Sequence, residues 1–148
     1  MIGWRWLLPA LLALSACAVQ SPPRVTSATL PRAYEGRYLW AATATESGYQ
    51  VVLTIDTATD ANGTILVHGS VHYEPGDNQM TVDGVINPVT LALSLRESAP
   101  NHVDAVTAGT FEGVLSPDLA SLVAIWSTAG DGRLGGLVLR ACGEQANH

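Results

Sequence analysis

Apolar and polar residues alternate along most of the chain between Tyr34 and Cys142. A two-residue period is typical of β-strands, because successive side chains of a strand point to opposite faces of the sheet. Turn-forming pairs such as Asn62-Gly63 and Asn87-Pro88 interrupt the alternation at short intervals. The pattern predicts eight strands and no helix, with the ranges 34–41, 49–56, 64–74, 79–86, 90–97, 109–115, 120–127 and 134–142.

The connections between these predicted strands are short, which favours antiparallel pairing of strands that are consecutive in the sequence. Eight strands in this up-and-down order can close into a barrel, and closure removes the unpaired edges of an open sheet. We therefore predict an all-β, eight-stranded antiparallel up-and-down barrel. A sandwich of two sheets is the alternative.

One face of the predicted strands collects the large apolar residues. All seven aromatic residues outside the first 16 residues share this face, together with many leucines and valines. The aromatic residues are Tyr34, Tyr38, Trp40, Tyr49, Tyr73, Phe111 and Trp126. The opposite face carries mostly charged and hydroxyl side chains, so we expect one buried and one solvated face.

Glu97 is the exception on the apolar face, since it shares the parity of Leu93 and Leu95. A buried carboxyl group must be paired, hydrogen-bonded or neutral. Tyrosine hydroxyls or an arginine at the barrel end could satisfy it. Three roles are open: a plug of the barrel end, a polar anchor in a ligand pocket lined by Tyr38, Trp40 and Trp126, or a catalytic acid.

A second irregularity lies on the solvated face, where the last three strands carry aliphatic residues. Closure of the barrel would bring the first strand beside them. The residues are Leu39, Val114, Val123, Ile125 and Val138. Such a stripe could bind a partner, form a dimer or pack under the segment 18–33. Alternatively, these are isolated surface residues that reflect the β-propensity of valine.

The N-terminus has the features of a secretory signal: Arg5, an apolar run from Leu7 to Leu14, and then small residues. The run is far shorter than the roughly 20 residues that span a bilayer. Leu14-Ser15-Ala16-Cys17 resembles the lipobox of bacterial lipoproteins. The resemblance implies cleavage before Cys17, a diacylglycerol thioether on its sulfur and an acyl group such as palmitate on its amine.

The same resemblance implies a location in the cell. Ala18 follows the cysteine where an aspartate would retain a lipoprotein at the inner membrane, so the chain is expected at the outer membrane, in contact with the lipid bilayer. An ordinary signal peptide with a coincidental cysteine is the alternative. The expected organisation is a signal peptide at 1–16, a lipidated tether at 17–33, a barrel domain at 34–142 and a flexible tail at 143–148.

Lipidation of Cys17 would leave Cys142 without a disulfide partner in the chain, because these are the two cysteines. We expect Cys142 to be a shielded structural thiol. An intermolecular disulfide and a reactive thiol are the alternatives.

Charge and motifs narrow the classes of function. The chain has 13 acidic and 7 basic residues, all of the latter arginine, and its formal net charge is −6. A nucleic-acid partner is therefore disfavoured. We expect no metal or cofactor: His68 and His72 lie about 13 Å apart on a strand, and His72, Glu74 and Asp83 read as solvated. No nucleophile motif is present, which argues against an enzyme.

Strand spacing and several short motifs resemble small lipocalin- or avidin-like barrels of the bacterial envelope. The motifs are Gly36-Arg37-Tyr38, His68-Gly69-Ser70-Val71-His72-Tyr73 and Gly109-Thr110-Phe111-Glu112-Gly113. The resemblance implies a calycin-like barrel of the bacterial envelope. From the outward aliphatic residues we expect a non-enzymatic binding or scaffolding role towards an envelope protein, with the barrel in the periplasm. The alternatives are a small-ligand carrier and an inhibitor of a lytic enzyme such as lysozyme, which would use the loop 98–108.

Overall fold

The computed structural model describes residues 24–40, 49–75, 78–98, 109–128, 132 and 134–143, with the backbone alone at Trp40 and Asn78. Cys17 and most of the loop 98–108 lie outside these ranges, as does the side chain of Trp40. The structure contains eight strands, β1 (Ala33–Trp40), β2 (Tyr49–Ala61), β3 (Thr64–Glu74), β4 (Asn78–Ile86), β5 (Ala92–Ser98), β6 (Gly109–Leu115), β7 (Ser121–Thr128) and β8 (Leu134–Ala141).

The strands form a closed barrel in which each pairs with its neighbours in the sequence and β8 returns to β1. Every pair is antiparallel, and β1 and β8 are joined from Tyr34↔Ala141 to Trp40↔Gly135. The predicted up-and-down barrel is confirmed, and the sandwich alternative is wrong. We call the end where β1, β3, β5 and β7 finish the loop end, and the opposite end the closed end.

β2 is longer than the alternation predicts, because it continues to Ala61 past a register shift between Ile55 and Thr57. The extra residue in this β-bulge reverses the parity of the strand, so that Ala58 now faces inward opposite Val67. Residues 57–61, which the sequence placed in a loop, therefore belong to a hairpin. Its turn is Asn62-Gly63, as predicted, with φ values of 47° and 83°.

In the strands, the buried side chains belong to the apolar face that the sequence predicts. Tyr34, Tyr38, Phe111 and Trp126 are at most 3% exposed. Tyr49 departs from the prediction, because it is 38% exposed at the start of β2. A side chain at the last inward position of a barrel strand has neighbours on one side only, so inward parity does not bury it.

The closed end is sealed by residues that the sequence assigned to a flexible tether. Val25 and Leu30 are buried in the core, and a 3-10 turn, Ser27–Thr29, lies between them. The backbone amide and hydroxyl group of Ser27 donate to the carboxylate of Asp60 at 2.8–3.3 Å. The tether prediction is therefore wrong for residues 24–33, which are part of the folded domain.

Two leucines complete this seal from the turns that precede β5 and β7. Leu91 and Leu119 have φ values of 61° and 59°, in the left-handed region that bulky residues seldom adopt. Leu119 is buried, and its carbonyl oxygen accepts a hydrogen bond from the Tyr34 hydroxyl at 3.2 Å. Leu91, which the sequence placed in a strand, packs against the core from its turn.

Candidate functional site

Glu97 lies at the loop end of β5 and is 2% exposed. One carboxylate oxygen, Oε1, accepts a hydrogen bond of 2.7 Å from the Tyr73 hydroxyl of β3. The other, Oε2, accepts one of 2.9 Å from Nε1 of Trp126 on β7. The predicted inward carboxyl group is confirmed, and hydrogen bonds to two neutral donors satisfy it.

Tyr38 completes this group, which we call the Glu97 cluster. Its ring meets those of Tyr73 and Trp126 edge to face, with centroids 6.0 Å and 5.9 Å apart. Such T-shaped pairs are favourable beyond the area they bury. The sequence identified Tyr38 and Trp126 but missed Tyr73, although Tyr73 is also inward at the loop end of its strand.

Glycines on the neighbouring strands make room for these rings. A Cβ at Gly109 would overlap the Trp126 indole, and one at Gly135 would overlap the Tyr38 ring. At both positions the absence of a side chain allows an aromatic ring to pack directly against the backbone. Gly135 is level with Trp40 and Trp126 in the register, so the Tyr38 ring reaches it diagonally across the β1–β8 pair.

Burial determines the electrostatics of the Glu97 cluster. It raises the pKa of Glu97 above its ordinary value of 4.5, and the hydrogen bonds from Tyr73 and Trp126 oppose that change in part. Burial also raises the pKa of Tyr73 and of Tyr38, and the Glu97 charge adds to both increases. The two phenols therefore remain protonated at neutral pH, and Tyr73 keeps its proton as a donor to Glu97.

The centre of the barrel is filled by its own side chains. The cavity among Leu53, Leu95, Phe111 and Leu137 has a volume of about 10 Å³. This is about the volume that a single water molecule needs, and the walls are apolar. A small organic ligand does not fit in this cavity.

The five aliphatic residues predicted as a partner surface are all exposed, between 45% and 61%. They form two rows across β6, β7, β8 and β1. One row joins Val114, Val123 and Val138, and the other joins Ile125, Gly136 and Leu39. The predicted stripe is therefore contiguous, and we call these six residues the outer apolar face.

Two oppositely charged residues border the outer apolar face. Glu112 on β6 pairs with Ile125, and Arg37 on β1 pairs with Val138. Both side chains are exposed. They extend the two rows at opposite corners of the face.

The histidines of β3 lie on the solvated face. Nδ1 of His68 is 2.6 Å from a carboxylate oxygen of Asp83, and Nε2 of His72 is 3.8 Å from one of Glu74. Among the described residues, no group of three His, Cys, Asp or Glu side chains could hold a metal ion. The His68–Asp83 pair depends on the register of β3 against β4, which the sequence does not reveal.

Cys142 differs from its prediction as a shielded thiol. It is exposed after the end of β8, where its backbone amide donates to the carbonyl oxygen of Ala33 at 2.9 Å. Partial desolvation and the charge of Glu35 raise the pKa of the thiol. Cys142 is therefore accessible but is not an activated nucleophile.

Comparisons with known proteins add no identity. No family model, no curated protein and no solved structure matches this chain. In the ranges that the structure describes, no helix has the length and apolar character needed to cross a bilayer. The Glu97 cluster and the outer apolar face are the two candidate sites of function in the described ranges.

Proposed function

We propose that this chain is a lipid-anchored, non-enzymatic binding or scaffolding module of the bacterial envelope. Acylated Cys17 holds it in the outer membrane, and its barrel faces the periplasm. The lipobox-like sequence Leu14-Ser15-Ala16-Cys17 supports the anchor. The outer apolar face supports the binding role and carries the proposal.

Exposed aliphatic side chains are not required by the fold of these strands. On the other side of the barrel, β2, β3 and β4 present Thr54, Ser70 and Thr81 at paired outward positions. The exposed aliphatic residues there are a single cross-strand pair, Leu66 and Val85, which hydroxyl residues flank on both sides. The outer apolar face instead exposes five aliphatic side chains on adjacent positions. A contiguous apolar patch on a solvated sheet is typical of an interaction surface.

Two alternative functions receive less support. A carrier needs an interior space, and the central cavity measures only about 10 Å³. An enzyme needs an accessible reactive group, whereas Glu97 is 2% exposed and both of its oxygens accept hydrogen bonds inside the barrel. The Glu97 cluster is better explained as a plug that closes the loop end of the core.

The test is copurification of the tagged full chain from detergent-solubilised envelopes. We expect the triple variant Leu39→Ser, Val123→Ser and Ile125→Ser to lose a partner that the unmodified chain retains. The matched control is Leu66→Ser with Val85→Ser, a cross-strand pair that is 47% and 39% exposed on the far side of the barrel. If the triple variant retains every partner, the outer apolar face is not the binding surface.

A further inference from the structure

The outer apolar face has a knob and a notch side by side. Ile125 is its most exposed residue at 61%, and its neighbour across the β7–β8 pairing is Gly136. A Cβ added at Gly136 would meet no atom within 4 Å, so the surface is open there. Leu39 borders the notch on its other side, across the β8–β1 pairing.

We propose that the partner bound by the outer apolar face is a second copy of this chain, related by a twofold axis. The inference rests on the proposed function, because it names the occupant of the same surface. In a twofold interface both copies use the same surface, and if one residue contacts a second residue of the other copy, the reverse contact also forms. The surface must therefore be complementary to itself. A knob directly beside a notch satisfies that requirement.

The register defines the arrangement. A twofold axis parallel to the strands, midway between β7 and β8, places each β7 residue over the β8 residue of the same row in the other copy. Ile125 then packs into the notch at Gly136 of the second copy, and Val123 packs against Val138. Each contact occurs twice.

The bordering charges fit the same axis. It places β6 of one copy against β1 of the other, so that Glu112 approaches the second copy's Arg37 with an offset of one row. The offset is about 7 Å along the strand, within reach of two long side chains. Two such ion pairs offset part of the repulsion between chains with a formal net charge of −6.

The interface is small. Six positions of a sheet face cover roughly 200 Å², from the strand spacing and the two-residue repeat. Stable complexes bury about 800 Å² on each partner, so association is weak in free solution. Two copies anchored in one membrane have a much higher effective concentration, which compensates for weak contacts.

Sedimentation velocity over a concentration series tests the inference. The protein is the full chain with Cys17→Ser, which prevents acylation, in a reducing buffer that keeps Cys142 from cross-linking. We expect the sedimentation coefficient to rise with concentration and Gly136→Leu to lower the association constant at least tenfold. The space at Gly136 is open, so this variant keeps its fold, which circular dichroism verifies. Leu66→Ser is the control and associates as the unmodified chain does.

Charge reversal provides a second measurement. Arg37→Glu and Glu112→Arg each weaken self-association, because each brings like charges together. An equimolar mixture of the two variants restores association, since its heterodimer contains one pair of the original polarity and one reversed pair. A merely structural effect of either substitution would not be rescued by mixing.

The outcomes separate this inference from the proposed function. A chain that stays monomeric at all concentrations, or a Gly136→Leu variant that associates normally, overturns the second copy as partner. If the triple serine variant nevertheless loses an envelope protein, the proposed function stands with another occupant. If the Cys17→Ser chain instead floats with phosphatidylethanolamine–phosphatidylglycerol vesicles and the triple serine variant of that chain does not, the occupant is the lipid surface and the inference is wrong.

Discussion

At the scale of single residues, two adjacent glycines of β8 have opposite environments. Gly135 lies against the Tyr38 ring, whereas Gly136 faces open space. In the sequence both are glycines of the same predicted strand. The difference arises because neighbouring residues of a strand point to opposite faces.

We expect Gly135→Ala to destabilise the protein by about 1–3 kcal/mol, because the added methyl group must displace a packed ring. Gly136→Ala is the matched control and should change stability by less than about 0.5 kcal/mol. Urea unfolding of both variants measures the difference. Equal stability of the two would contradict the placement of Tyr38 against β8.

Glu97 provides a prediction about pH. Its pKa is raised in the folded protein, so the folded state binds the proton more tightly than the unfolded chain does. The stability that Glu97 contributes is therefore present below its ordinary pKa of 4.5 and is lost as the pH rises through the folded pKa.

Glu97→Gln removes this titration, so its stability should depend less on pH above 4.5 than that of the unmodified chain. Urea unfolding between pH 4 and pH 8 measures both profiles. Glu112→Gln, a change at an exposed carboxylate, is the matched control. Parallel profiles for Glu97→Gln and the unmodified chain would show that burial does not raise the pKa of Glu97.

At the scale of elements, the segment before β1 is the main difference between sequence and structure. Its Pro, Ser and Thr residues predict a tether, yet Val25 and Leu30 are buried at the closed end. Two apolar residues in a polar segment have no period that would reveal a buried face. The rest of the core cluster, and Asp60 of the β2–β3 hairpin, which accepts hydrogen bonds from Ser27 between them, are distant in the sequence.

Leu30→Ala should therefore cost about 2–4 kcal/mol, as expected for a buried leucine. The same substitution at a residue of an unpacked tether would leave the stability of the protein unchanged. Arg24→Ala, at an exposed position of the same segment, is the control and should be neutral. Thermal unfolding of the two variants measures the difference. An unchanged Tm for Leu30→Ala would show that residues 24–33 are a tether and not part of the folded domain.

The β2 strand shows a second limit of the pattern. Alternation predicts its first half correctly and fails at the bulge between Ile55 and Thr57, where one extra residue reverses the parity. The Asn62-Gly63 turn is nevertheless predicted correctly, because both of its residues need a positive φ. Local backbone requirements are visible in the sequence, whereas an inserted residue appears only in the pairing.

At the scale of the whole molecule, burial of Val25 shortens the proposed tether. Seven residues, 18–24, then separate Cys17 from Val25, the first buried residue of the folded domain. They span at most about 25 Å, so the proposed anchor at Cys17 would hold the closed end close to the membrane, with the loop end pointing away. Copies anchored in this way share an orientation, which favours side-by-side contact through the outer apolar face.

Replacement of Cys17 by serine should release the barrel from the membrane fraction without changing its fold, because acylation requires the thiol. Labelled palmitate incorporation and fractionation of the envelope measure the two effects. Cys142→Ser is the control and should keep both the label and the membrane location. A Cys17→Ser chain that still carries label and stays in the membrane would exclude the proposed anchor.

The sequence by itself determined the barrel, its buried face, the inward Glu97 and the outward aliphatic residues, because a two-residue period records which side of each strand is apolar. Only the tertiary structure decided that Tyr73 and Trp126 hold Glu97, that Val25 and Leu30 seal the closed end, and that a notch at Gly136 lies beside Ile125. The first two join segments that are far apart in the chain, and the third depends on the register of β7 against β8, so the local pattern reveals none of them.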